Sequence, residues 1–247
     1  MTDARRIFES SWNNVVKSYN KMPPTWCSEA DLQAYLLCEL NKSLKAESER
    51  QELIAYAELF IPYDPYQFME QMAQDGRTTR TRNERTKKIE GYIADIVMVD
   101  WSEPLSPYPL LLAELKFNPV PCPVEFFLLQ EPEKIPLHVQ ETRKALEESI
   151  IRAREVQRLG PSSREIDYHL GRSSGRESEV ERIIRILEGY TETFAYLCVV
   201  NELYPNLGDI LTDEIKKYNP PPQFKILFNY YPLVEELEKV LASQETL

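Results

Sequence analysis

The sequence predicts an α/β fold in which a mixed central β-sheet is flanked by helices, and three observations carry that expectation. Two nearly continuous apolar runs, YIADIVMVD and PLLLAELKF, have strand length and the composition of strands buried on both faces. Apolar residues recur at helical spacing before them, in 3–21 and again from Ser28 onward. After them the pattern alternates, giving the order helix, three strands, helices, strand, helix, strand, helix.

In chain order, the first helix is expected over about Asp3 to Lys21, with Ile7, Trp12, Val15, Val16 and Tyr19 on one side, and Pro23 and Pro24 end it. A second helix starts at Ser28, where Ser28-Glu29-Ala30-Asp31 resembles a capping box, and Leu32, Tyr35, Leu36 and Leu40 form its apolar stripe. A strand follows from about Glu52 to Ile61, then a long polar segment read as a loop, with Tyr63, Tyr66 and Phe68 near its start as packing or base-stacking aromatics. After the two apolar strands, prolines at 119, 121, 123, 132 and 136 lead into a helix from His138 to Leu159 with Val139, Leu146, Ile150, Ala153 and Val156 on one side. Residues 160–178 read as a surface loop. A helix at Glu179–Gly189, the strand FAYLCVVN, a helix from Leu207 to Tyr218, the strand FKILFNY and the closing helix LVEELEKVL complete the chain.

At 247 residues one domain suffices: a helical extension over 1–27, a core over 28–201 and a C-terminal helix-strand-helix extension over 202–247. No apolar run reaches the ~18 residues of a membrane span, and the opening residues lack the apolar stretch of a secretory signal, which predicts a cytoplasmic protein. Cys27, Cys38, Cys122 and Cys198 form no CxxC pair and the histidines are His138 and His169, which argues against zinc and against a disulfide framework. No phosphate-cradling GxxxxGK[ST] or GxGxxG turn occurs, nor a GxSxG elbow.

The net charge of −11 argues against a protein that coats nucleic acid indiscriminately. The charge is uneven, however. Residues 77–88, RTTRTRNERTKK, place Arg77, Arg80, Arg82, Arg85, Lys87 and Lys88 against a single acid. Such an arm on an acidic body suits a local grip on a phosphate backbone, and its bland alternative is a solvated loop.

Chemistry is carried by three charges inside the apolar strands: Asp95, Glu114 and Lys116. A lone buried charge costs several kcal/mol unless it is paired or binds metal. Glu114 and Lys116 are two apart and share a face. A hairpin centred on the intervening turn pairs residues whose numbers sum to about 209, which sets Asp95 opposite Glu114. Carboxylates so placed, with the Leu115 carbonyl, suit magnesium, with manganese as substitute. Lys116 can then orient the attacking water or stabilise developing negative charge. Glu29, on the inner side of its helix, can orient a metal-bound water or serve a second metal, and Gln33 lies one turn on. Taken singly, Glu29 reads as an acid favoured by the helix dipole, and Glu114 with Lys116 as an exposed ladder of opposite charges.

SEADLQAYL, IADIVMV and LLLAELKF in that order resemble the helical Glu, strand Asp and Glu-x-Lys of the PD-(D/E)XK phosphodiesterases. Ala94 stands where the name-giving proline would be, and the glutamine-tyrosine pattern of some members' next helix is not clear, since Lys144 follows Gln140 four positions on. The resemblance implies an αβββαβ restriction-endonuclease-like core and metal-dependent phosphodiester cleavage, with Glu29, Asp95, Glu114 and Lys116 in the family's catalytic positions. The expected function is a magnesium-dependent endonuclease acting on DNA ahead of RNA, with pairing into a homodimer left open. The alternative is a catalytically inactive member of the same fold that binds protein or nucleic acid, and a third reading is an acidic scaffold without convergent carboxylates.

Overall fold

The computed structural model describes residues 3–21, 28–47, 52–75, 90–102, 107–118 and 139–244. Among them lie helices α1 (Asp3–Tyr19), α2 (Glu29–Glu47), α3 (Pro65–Asp75), α4 (Val139–Leu159), α5 (Ser163–His169), α6 (Glu179–Gly189), α7 (Leu207–Lys216) and α8 (Leu233–Gln244), with strands β1 (Leu53–Pro62), β2 (Gly91–Asp100), β3 (Tyr108–Asn118), β4 (Phe194–Asn201) and β5 (Phe224–Tyr230). The five strands form one sheet in the order β1-β2-β3-β4-β5. The first three are antiparallel, and β3, β4 and β5 run parallel. The expected α/β class holds and the strands follow in the expected order, with one unexpected helix, α3, between β1 and β2.

Each face of the sheet is covered. Ile7, Phe8 and Val15 of α1 and Leu32, Leu36 and Leu40 of α2 pack with Ile96, Ala113, Leu115 and Cys198 on one face. On the other, Phe68 of α3, Val180, Ile183 and Ile186 of α6 and Leu211 of α7 pack with Val97, Leu112 and Leu197. Side chains of this kind contribute about 1.5–3 kcal/mol each when fully buried. A satellite cluster joins Ile150 and Ala153 of α4 to Leu233, Val234 and Leu237 of α8, and Arg154 bridges the same two helices through Glu235 and Glu238.

Several expectations need correction. The segment after β1 is not all loop: α3 begins at Pro65, a favourable first helical residue, and buries Phe68 completely while Tyr66 stays 78% exposed. Its helical pattern was hidden because one fully buried aromatic anchors it. Residues 160–178 are not a plain surface loop either, because Ser162 and Glu165 form a reciprocal capping box that starts α5, and His169 and Leu170 are buried. Burial on both faces fails at the start of β2, where Ile93 is 57% exposed. Val156, expected on the packed side of α4, is exposed.

The hairpin register matches expectation over three pairs and stops before the expected pair of Asp95 with Glu114. Ile96 pairs Ala113, Val97 pairs Leu112 and Met98 pairs Leu111, each pair summing to 209, before a shift between Met98 and Val99 toward the turn. A second irregularity lies at the opposite end. Tyr92 and Ala94 face α6, yet so do Val97 and Val99, so the alternation of β2 slips at Asp95. On β1, Leu59 and Ile61 face α6 together with Tyr56, and the slip falls at Glu58, a non-glycine residue at φ 51°. Both strands therefore slip at the same level, and their pairing keeps one register across it, from Ala57 with Ile96 to Leu59 with Ala94. Left-handed non-glycine residues are uncommon and concentrate at functional sites.

Candidate active site

Asp95 sits at that slip. The paired register of β2 with β3 ends at Ile96 and Ala113, one step short of Asp95 and Glu114. Beyond it, the Leu115 N–H donates to the Asp95 carboxylate at 2.7 Å. The backbone carbonyl of Asp95 accepts from the Gln33 side-chain amide at 2.9 Å, so α2 and β3 hold the residue from two sides. Leu115 points its side chain into the opposite core.

Glu114 and Lys116 share the α6 face and are buried, at 5% and 6% exposure, which rules out the exposed ladder of charges. Lys116 Nζ donates to Glu114 Oε1 at 2.8 Å and lies 2.9 Å from Glu179 Oε2. The Tyr92 hydroxyl donates to the other Glu114 oxygen. Arg182, one turn into α6, stacks its guanidinium on the Tyr92 ring 5.5 Å from the centroid. Glu29, first residue of α2, accepts from the Phe117 N–H at 3.4 Å and from the Tyr168 hydroxyl. Lys116 Nζ stands 5.8 Å from the centroid of the half-exposed Tyr168 ring. Glu29, Asp95, Glu114 and Lys116 all lie about the junction of α2, β2 and β3, with Asp95 and Glu29 bonded to the Leu115 and Phe117 amides of β3 and Lys116 bonded to Glu114. Arg77, Arg80, Arg82, Arg85, Lys87 and Lys88 lie outside the described residues, as does His138.

Electrostatics follow from burial. Glu114 is pushed up to about 8, first by burial and further by Asp95 and Glu179, with Lys116 only partly opposing them. Asp95 is raised by burial and by the nearby Glu29 and Glu179 carboxylates, against the Leu115 N–H and Lys116. Burial alone would lower Lys116, but the pull of Glu114 and Glu179 outweighs it and raises it. Lys116 stays charged, and one ammonium faces more carboxylate than it can neutralise. His169, next to Tyr168, is held down to about 4 by burial and by Lys116. It stays neutral near pH 7 and adds no positive charge to this cluster.

Compared with family models, with curated proteins and with solved structures, the chain matches none, so its chemistry rests on its own side chains.

Among the described residues, no three His, Cys, Asp or Glu side chains are grouped closely enough to hold a metal by themselves. The donor set still suits a hard divalent cation, which takes carboxylate oxygen and retains several waters, so two adjacent carboxylates suffice. Asp95 and Glu114 would be those two, and the burial that first drives Glu114 upward, with Asp95 and Glu179 adding to it, is the cost such a cation would offset.

Tyr92, Tyr168, Glu179 and Arg182 were not expected. Tyr92 lies three residues before Asp95 in an apolar strand and, by strict alternation, would face away from Asp95's neighbour Glu114, so only the slip reveals its contact. Glu179 follows Ser178, which caps α6 with Glu181 in a second capping box worth about 1 kcal/mol. Its sequence signal was that of an ordinary first-turn acid.

Proposed function

We propose that the protein is a magnesium-dependent phosphodiesterase that cuts nucleic acid as an endonuclease, DNA ahead of RNA, with manganese able to substitute. The observation that carries this reading is that Asp95 and Glu114 follow the last β2–β3 pair and lie near enough for Asp95 to act on Glu114 electrostatically, with Lys116 hydrogen-bonded to Glu114. The order α2, β1, β2, β3, α6, β4 agrees with the αβββαβ arrangement of a restriction-endonuclease-like core, with α3, α4 and α5 as insertions.

In this reading Asp95 and Glu114 would hold the cation, with the Leu115 carbonyl and Glu29 as further oxygen ligands. The cation supplies a bound water of lowered pKa and neutralises charge on the phosphate. Tyr92 fixes the rotamer of Glu114 by donating to one oxygen, and Gln33 with the Leu115 N–H fixes Asp95. Lys116, kept protonated by its acids, offers an ammonium to the negative charge that builds on the phosphoryl oxygens. The basic run 77–88 is assigned the sequence-independent grip on the backbone.

A second reading is favoured by one observation: Lys116 is held by two carboxylates at once, a resting arrangement that an inactive binding module of this fold would also show.

The test is cleavage of labelled duplex, branched and single-stranded DNA and RNA by the purified protein and by Asp95→Asn, with magnesium, manganese or chelator. Cleavage that needs the cation and falls at least about hundredfold in Asp95→Asn is expected. A wild type that cuts none of these substrates would transfer the assignment to the binding module.

A further inference from the structure

Lys116 has two acidic partners with different prospects. Glu114 is the one expected to turn its oxygens to a cation, and Glu179 reaches the same ammonium from the first turn of α6. The Glu179 Oε2 atom is buried and, among the described residues, its polar partner is the Lys116 ammonium 2.9 Å away. A buried carboxylate oxygen in that state is costly unless its ion pair is retained.

The chain makes room for this carboxylate at a specific position. Gly171 adopts φ +61°, and a Cβ there would overlap the Glu179 carboxyl group. The Glu179 N–H donates to the Gly171 carbonyl at 3.3 Å, tying the two residues together. Ser178 caps α6 immediately before Glu179 and fixes where its side chain starts. Glycine at 171 thus satisfies both a left-handed backbone and the volume of the carboxylate.

Resting on the nuclease reading, we propose that Glu179 is the positioning residue of Lys116: when a divalent cation takes Glu114, the ammonium stays on Glu179, seated beside Gly171, and is thereby held toward the phosphate. In the state described, Lys116 donates a hydrogen bond to Glu114. Cation entry exchanges that partner, and the lysine becomes available for catalysis without being cast loose.

The experiment is a double-mutant cycle of Lys116→Met and Glu179→Gln, read as urea midpoints with and without saturating magnesium, together with steady-state cleavage and manganese affinity for Glu179→Gln, Gly171→Ala and their double. The expected midpoints are non-additive, with the double variant shifted less than the two singles together, and remain so in magnesium. For cleavage, kcat falls tenfold or more in Glu179→Gln and in Gly171→Ala and no further in their double, while KM and manganese affinity stay within twofold. Additive midpoints in magnesium overturn the proposal. So does a tenfold loss of manganese affinity in Glu179→Gln, which would make Glu179 a cation ligand instead. A wild type that does not cleave would overturn the nuclease reading alone, because the midpoints decide the pairing without any turnover.

Discussion

Replacing Lys116 by methionine is expected to lower cleavage by at least about hundredfold, the usual loss when a preorganised group is removed from developing charge, while leaving cation binding in place. Methionine keeps the aliphatic stem that packs in the α6 face, so the change isolates the ammonium. Stability should fall as well. Glu114 and Glu179 would face one another without the cation that now lies 2.8 and 2.9 Å from them, and breaking a buried pair typically costs about 3–5 kcal/mol. Protonation of Glu114 relieves part of that cost, so the deficit in urea midpoint should be larger at pH 8 than at pH 6. An equal deficit at both pH values would mean that the three side chains do not form the coupled group described.

Added magnesium should raise the melting temperature more as the pH increases from 6 to 8.5. The sign comes from Glu114, whose pKa rises from 4.5 to about 8 on folding. The folded chain therefore binds a proton that the unfolded chain has released, and without cation this contribution to stability is present at low pH and lost as pH rises through about 8. Each pH unit in that window costs at most ~1.4 kcal/mol for one group. Asp95 is raised as well and acts in the same direction. The raised pKa of Lys116 acts in the same direction but at higher pH, above the window. A cation competes with the Glu114 proton, so binding near pH 7 should release up to about one proton, measurable by calorimetry in buffers of different ionisation enthalpy. A magnesium effect on melting that is flat across this range would show that Glu114 is not a ligand.

The parts of the site that were legible in the sequence are those governed by strand geometry. Charges in apolar strands mark themselves, two-residue spacing places Glu114 and Lys116 together, and the turn centre gives the register of the pairs next to Asp95 and Glu114. The rest depends on irregularity and on distant packing. No pattern announces the left-handed Glu58 or the paired slip that brings Tyr92 onto Glu114. Tyr168 reaches Glu29 from α5, 139 positions away, and α5 itself was read as loop because it spans only Ser163–His169 and its polar residues dominate the segment. Glu179 contributes through a glycine eight residues earlier, a relation that exists only once Gly171 has turned left-handed. Phe68 shows the same limit in the core, where one buried ring outweighs a polar neighbourhood.

Manganese titration calorimetry of the wild type and of Asp95→Asn tests most directly whether this junction holds a divalent cation. Asparagine can still accept the Leu115 N–H that Asp95 accepts now, so the strand junction stays in place while one anionic ligand is lost. The expected result is saturable binding by the wild type and a loss of at least about tenfold in affinity, or ~1.4 kcal/mol, in the variant. Binding of equal strength by both proteins, or none by the wild type at millimolar manganese, would contradict the assignment of Asp95 and Glu114 as the cation's ligands.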